Sequence, residues 1–172
     1  FGHLVHDTYT AFLAPLLPAF IAKFSLSTTE AGLLSVFYQW PSLIQPYLGY
    51  LADRKSLRLL FITSPAITAT MMCLLGIAPS YAVMAMFLII AGFSSAGLHA
   101  VGPVIAGMQS GRRLGRGMSF WMVGGEAGRT IGPIVVVSVV AIWGLQGVPW
   151  LMLGGWLASG VLFIWLRNVP DR

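Results

Sequence analysis

The sequence predicts an all-α integral membrane protein with six transmembrane helices, and three observations carry the prediction. Only 9% of the 172 residues are charged, against about 25% in an ordinary soluble domain. Hydrophobic residues make up 57% of the chain, and its mean hydropathy is +0.82. The few charges fall in short clusters separated by long apolar runs, the pattern of a chain whose solvent is lipid. A hydrocarbon core about 30 Å thick takes about 20 helical residues to cross. The strand-period alternation of a lipid-facing β-barrel is absent.

Taken in order, the first apolar run covers residues 1–22 and stops at Lys23 and the polar stretch from Ser25 to Glu30. The second covers 31–52, where Gln39, Trp40, Pro41, Gln45 and Pro46 give it polar and kinked character. The third covers 59–78 and turns at Pro79 and Ser80; the fourth covers 81–108. The fifth covers 118–142, with a turn near Gly144 to Gly147, and the sixth covers 148–166.

Alternating crossings place Arg54, Lys55, Arg58, Arg112, Arg113, Arg116, Arg167 and Arg172 on one side and Lys23 alone on the other. Cytoplasmic loops carry the Lys and Arg excess, so the N-terminus and the C-terminal tail are predicted to be cytoplasmic, in a bacterial inner membrane. The formal charge of +5 is thereby assigned to membrane orientation, and no nucleic acid partner is expected. Cys73 is the single cysteine, which excludes a disulfide within the chain. Phe1 already lies in a helical run with no charged leader before it. We therefore expect residues 1–172 to be one N-terminal six-helix bundle whose first helix is truncated. Its partners would be the bilayer, a small-molecule substrate, and either a missing C-terminal half or a second copy.

After the second run the sequence reads Gly49-Tyr50-Leu51-Ala52-Asp53-Arg54-Lys55-Ser56-Leu57-Arg58. A glycine lets helices approach closely, a carboxylate at a helix end needs a cation, and arginines hold the cytoplasmic interface. Gly49, Leu51, Asp53, Arg54 and Arg58 resemble the signature between the second and third helices of the major facilitator superfamily. Ser56 and Leu57 stand where that signature has a glycine and a basic residue. In the fifth run Gly124, Gly128 and Gly132 recur every four residues as a small-residue packing stripe, followed by Pro133, which permits a kink. This stretch resembles the Gly-Pro-terminated helix of the superfamily's antiporters. Gly2-His3-Leu4-Val5-His6-Asp7, Pro15-Leu16-Leu17-Pro18, Gln45-Pro46-Tyr47-Leu48-Gly49-Tyr50, Gly97-Leu98-His99 and Val123-Gly124-Gly125 together resemble its fosmidomycin-resistance branch. Ala100 and Val101 follow His99 where that branch has proline and glutamate, so its substrate is not carried over. The resemblance implies half of a twelve-helix fold, built from two inverted three-helix repeats, and efflux of small molecules against proton entry.

His3, His6, Asp7, His99, Glu126 and Arg129 break the apolar pattern inside the predicted spans. Ionisable groups at membrane depth cost about 2.5–3.5 kcal/mol each on insertion scales and are functional candidates by default. His3, His6, Asp7 and Thr10 lie on one helical stripe. Asp7 and His99 are each predicted to lie roughly 24 Å from the outer end of their helices, which suits one protonatable cluster. His3 is expected near enough to the cytoplasmic surface to be hydrated. Glu126 and Arg129 are i, i+3 neighbours and are expected to pair. Tyr38, Phe120 and Trp121 are expected at the interface or facing lipid. A stripe on one helix offers too few converging ligands for a metal, so no metal is expected.

The function expected is secondary active transport of a small organic molecule by alternating access, as proton-coupled efflux. Asp7, His6, His99, Glu126, Arg129 and Gln39 would bind substrate or protons; Gly49, Asp53, Arg54 and Arg58 would form a cytoplasmic gate. The proton gradient is the energy source, with no cofactor and no enzymatic chemistry. Uptake by a symporter or facilitator, and a non-transporting membrane subunit of the same fold, are the alternatives.

Overall fold

The structure, a computed structural model, describes residues 1–168, and every regular element in that range is helical. Arg172 and the exit segment from Val169 onward lie outside the described residues. The first run forms two helices, α1 (Gly2–Thr10) and α2 (Leu13–Phe24), broken at Ala11 and Phe12. Pro15 accounts for the break: it has no N–H for the Ala11 carbonyl, and its ring crowds that oxygen. Ser25 ends α2 at a left-handed φ of 52°. Ser27 then opens α3 (Thr28–Gln39) with a capping box, its hydroxyl accepting the Glu30 N–H while the Glu30 carboxylate accepts the Ser27 N–H.

The helix predicted over 31–52 is divided. A 3-10 turn over Trp40–Ile44 separates α3 from α4 (Gln45–Ala52). Pro41 and Pro46 each remove a backbone donor, and the end of α3 seats so closely that a Cβ at Gly92 would collide with the Tyr38 carbonyl and the Pro41 ring. Next come α5 (Arg58–Leu74), extended by a 3-10 turn over Leu75–Ile77, and α6 (Tyr81–Ser110), which starts at an N-cap on Ser80. After another such turn at Gly111–Arg113, α7 runs over Leu114–Trp143, so Arg116, predicted in a loop, belongs to the helix. A 3-10 stretch over Leu145–Leu151, holding Pro149, leads into α8 (Met152–Leu166).

Among the described residues, four segments are long and apolar enough to cross a membrane: Gly2–Phe24, Arg58–Ile77, Tyr81–Trp143 and Leu145–Leu166. The third has 63 residues and as a straight rod would be about 95 Å long, roughly three times the hydrocarbon thickness. It is a hairpin instead. Gly111 turns the chain at a φ of +51°, open to glycine and strained for other residues, and α7 returns along α6 with the Trp121 ring against Gly102.

Two apolar clusters fill the interior. Phe12, Leu16, Phe20, Met72, Met84, Leu88 and Val136 belong to the larger; Phe61, Ile62, Leu98, Val101 and Leu162 belong to the smaller. Along α5 and α6 the two are separated by a buried polar layer of Ser64, Thr68 and Ser94. Thr68 Oγ1 donates to Ser94 Oγ at 3.0 Å, and Ser94 Oγ donates to the Ser64 carbonyl at 3.1 Å. Large apolar side chains of α7 and α8, among them Ile134, Trp143, Leu157 and Trp165, cover the outside.

α1 lies against the glycine face of α7. A Cβ at Gly128 would collide with the Leu4 carbonyl, one at Gly132 with the Thr8 carbonyl, and one at Gly125 with the His3 ring. Gly124, predicted as part of this stripe, sits at its edge, where a Cβ would meet only ordinary contacts at 3.8–3.9 Å. The buried face is Gly125, Gly128 and Gly132, because the axis of α1, rather than a strict four-residue period, decides which glycines are covered. α7 continues through Pro133, which leaves the Arg129 carbonyl without its usual helical donor.

Gly128→Ala should therefore destabilise the protein by about 1–3 kcal/mol, the usual cost of overpacking. Gly124→Ala should stay within about 0.5 kcal/mol of wild type. Thermal unfolding of the detergent-purified protein checks both, and equal melting temperatures for the two variants would contradict the packing described.

Candidate functional site

Asp7 is the hub of a polar cluster built from α1, α6 and α7. Its side chain is 1% exposed, and those of His3 and His6 on the same helix are 5% and 0% exposed. The i, i+4 spacing of His3 and Asp7 puts them on one face of α1. His99 enters from α6 and is 29% exposed; Arg129 enters from α7 and is 48% exposed.

The partners fix the histidine tautomers. A carbonyl only accepts, so Nδ1 of His3 donates to the Trp121 carbonyl at 2.8 Å and Nδ1 of His99 donates to the Ser95 carbonyl at 2.9 Å. The two Nε2 atoms then face each other across 3.3 Å, lone pair to lone pair when both rings are neutral. Asp7 faces both, with Oδ2 3.3 Å from His3 Nε2 and Oδ1 3.5 Å from His99 Nε2. His6 donates from Nδ1 to Asp7 Oδ1 at 3.0 Å, leaving its own Nε2 buried without a partner. Asp7 Oδ2 lies 3.4 Å from Arg129 Nη1 and accepts no hydrogen bond. Arg129 Nη2 donates to Glu126 Oε1 at 2.5 Å, and Glu126 is 66% exposed.

Two predicted groupings thus meet in one network. Asp7 and His99, expected at similar depth, are in contact, and the Glu126–Arg129 pair forms within α7. Arg129 then joins that pair to Asp7, a link no local spacing could show. Other expectations are corrected. His3 is not hydrated at the surface: it is buried, and its ring stacks on Trp121 with centroids 4.0 Å apart. Trp121, expected at the interface or facing lipid, is therefore a wall of the site, while Phe120 is 66% exposed. Gln39 is exposed at the end of α3 and enters none of the cluster contacts among the described residues. Its neighbour Tyr38 contributes in its place, donating to Ser95 Oγ at 3.1 Å, and that hydroxyl lies 3.3 Å from His99 Nδ1. The ligand-count argument against a metal also falls. His3, Asp7 and His99 bring donor atoms from two helices within 4.8 Å of one another.

At the basic end, Arg58 Nη1 donates to the Leu166 carbonyl at 3.0 Å, satisfying the last turn of α8. Arg54 lies over the Tyr50 ring at 4.2 Å, and Asp53 caps α4. Gly49, expected to permit close helix approach, has nothing within 4 Å of a Cβ built there; helix contact does not require its glycine in this structure.

Arg129→Met should destabilise the protein more than Glu126→Gln, since it strands the buried Asp7 while Glu126 remains solvated. Breaking a fully buried pair costs about 3–5 kcal/mol; half-exposure of Arg129 reduces the expected loss to about 1–3 kcal/mol. Adding Asp7→Asn to Arg129→Met should recover part of that loss. Additive losses in this double-mutant cycle, read by thermal unfolding, would show that the pair is not coupled.

Comparison with known proteins gives the family. The sequence model of the Major Facilitator Superfamily matches residues 1–172. The fosmidomycin resistance protein of Escherichia coli (strain K12) is 29% identical over 162 residues, which covers 94% of this chain and 40% of that protein. The uncharacterized MFS-type transporter YfnC of Bacillus subtilis (strain 168) is 27% identical over 165 residues, covering 94% of this chain and 39% of that protein. The chain thus spans about two fifths of the length of these curated relatives. With a whole-length family match and helical, lipid-facing segments around a charged centre, the chain belongs to the major facilitator superfamily.

Proposed function

We propose that this chain forms half of a secondary active transporter that exports a small organic molecule by alternating access, driven by entering protons. The observation that carries the reading is the ion network Asp7–Arg129–Glu126, which runs from a buried carboxylate beside His6 and His99 to an exposed one. A purely structural bundle gains little from buried charges, since well-packed apolar replacements are often as stable or more so. Similarity to a fosmidomycin resistance protein supports the outward direction.

In this reading six segments cross the membrane: the four apolar ones, with Tyr81–Trp143 counted as two, and the divided segment from α3 to α4. They form two inverted three-helix repeats, with the basic end in the cytoplasm of a bacterial cell. The second half of the same chain, or a second copy, stands against the exposed side of Glu126. Glu126 is the coupling carboxylate. A proton on it weakens its hold on Arg129, which then turns to Asp7 or to substrate, so proton entry and substrate exit use the same guanidinium in turn. Asp53, Arg54 and Arg58 hold the cytoplasmic gate, where Arg58 already ties α5 to the end of α8.

The test is full-length protein in proteoliposomes under an imposed pH gradient, with fosmidomycin and a panel of small drugs as probes. A transported probe should move protons in the opposite direction. Glu126→Gln should insert normally and allow downhill flux while losing accumulation against a gradient. Accumulation at the wild-type rate in that variant removes the coupling assignment, and absence of probe-dependent proton flux throughout favours a non-transporting role.

A further inference from the structure

Three atoms able to act as lone-pair ligands converge at the centre of the cluster. His3 and His99 have each committed Nδ1–H to a main-chain carbonyl, so both Nε2 atoms and the Asp7 carboxylate face one another at 3.3–3.5 Å. Lone pairs held at that distance repel unless a cation lies between them. One proton on either Nε2 would be shared between the other nitrogen and the carboxylate, two long contacts at 3.3–3.5 Å. A coordinated metal ion engages all three together.

The spacing approaches that of one class of ion: the two imidazole nitrogens are 3.3 Å apart, and with one oxygen taken from Asp7 the three donor atoms lie within 4.8 Å of one another. Bonds of about 2.0–2.1 Å from nitrogen or oxygen to a tetrahedral cation put neighbouring ligand atoms about 3.3–3.4 Å apart. We propose that His3 Nε2, His99 Nε2 and the Asp7 carboxylate form a three-ligand site for a first-row transition-metal dication such as Zn²⁺, with the fourth position open. Two further observations point the same way. Asp7 Oδ2 is buried and accepts no hydrogen bond. Each histidine is also oriented from behind by a backbone carbonyl, the outer-shell arrangement that metal-bound imidazoles use.

The charges around the site limit its strength. Arg129 Nη1, 3.4 Å from Asp7 Oδ2, opposes a second cation, while Glu126 on its far side offsets part of that charge. Arg129 therefore stands as an outer partner on the carboxylate, and the open position is suited to an anionic or neutral oxygen donor. His6 is not counted as a ligand, because its Nδ1 is spent on Asp7 Oδ1 and it lies outside the group of donor atoms that converge within 4.8 Å. The ion would join α1 to α6, where His99 already meets His3 and Asp7. This inference does not depend on transport, and binding is measured without it.

The test uses histidine-tag-free full-length protein in detergent, stripped with a chelator and dialysed against Zn²⁺ or Co²⁺. Elemental analysis should find one ion per chain, Co²⁺ should give the intense visible bands of four-coordinate geometry, and Zn²⁺ should raise the melting temperature. His3→Gln and His99→Gln should each weaken binding by at least 10–100-fold, roughly the range for loss of an outer-shell partner alone, while Gln39→Ala should bind as wild type does. His99 is partly exposed, so its variant is the one expected to stay folded if His3→Gln does not. Wild-type protein that holds no ion, a six-coordinate cobalt spectrum, or undiminished affinity in His99→Gln would each overturn the site. The first of these outcomes would leave a proton as the occupant.

Discussion

The centre of this bundle answers to one buried negative charge. A carboxylate 1% exposed among apolar helices carries a desolvation penalty of several kcal/mol unless charged and hydrogen-bonding groups come to it. Asp7 draws His6 and His3 from its own helix, His99 from α6 and Arg129 from α7. The side chains that meet it are short of reach except for arginine, so the three helices must stand close. That requirement explains the glycines of α7: with any larger residue at Gly128, the backbone of α1 at Leu4 would be pushed away, and Asp7 would move off its partners.

The same logic places the cluster between the two apolar cores. Backbone and hydroxyl groups have no water to turn to at membrane depth. Ser64, Thr68 and Ser94 therefore satisfy one another and the carbonyls of α5 and α6. The chain breaks fall in positions that keep this layer intact. The break between α1 and α2 lies beyond Asp7 in the chain, so His3, His6 and Asp7 stay on one rigid turn set. The 3-10 turn after α3 begins at Trp40, two residues after Tyr38, whose hydroxyl reaches Ser95 and so supports His99.

Most of the helical layout was legible in the sequence, because length and hydropathy bound a membrane helix tightly. The boundaries moved where a proline acted at a distance of one turn: Pro15 breaks the chain at Ala11, and Pro41 with Pro46 divides the second run. Within the site, spacing along one helix was enough for His3 with Asp7 and for Glu126 with Arg129. It was not enough for Arg129 with Asp7 or for His3 with Trp121, since those contacts depend on how α1 rolls against α7. That roll also decided Gly125 over Gly124. Depth counting along separate helices brought Asp7 and His99 together, because the first run ends and α6 begins near a common surface, where Lys23 donates to the Ala78 carbonyl. It could not say that Tyr38, rather than Gln39, would face them.

The outward side of α7 carries its own constraint. Phe120, Val123 and Ile134 are 66%, 64% and 65% exposed, as a lipid-facing helix would be, yet Glu126 at 66% and Arg129 at 48% open to the same surroundings. An ion pair against hydrocarbon is expensive even when neutral overall, because both groups lose their hydration. This stretch of α7 must therefore meet water or another protein surface, while the apolar residues a turn away pack against whatever encloses that water. A charged pair anchored inward to Asp7 and open outward is a group placed between two environments. That placement, more than the presence of the charges, is what favours the proposed transport role over a structural lock.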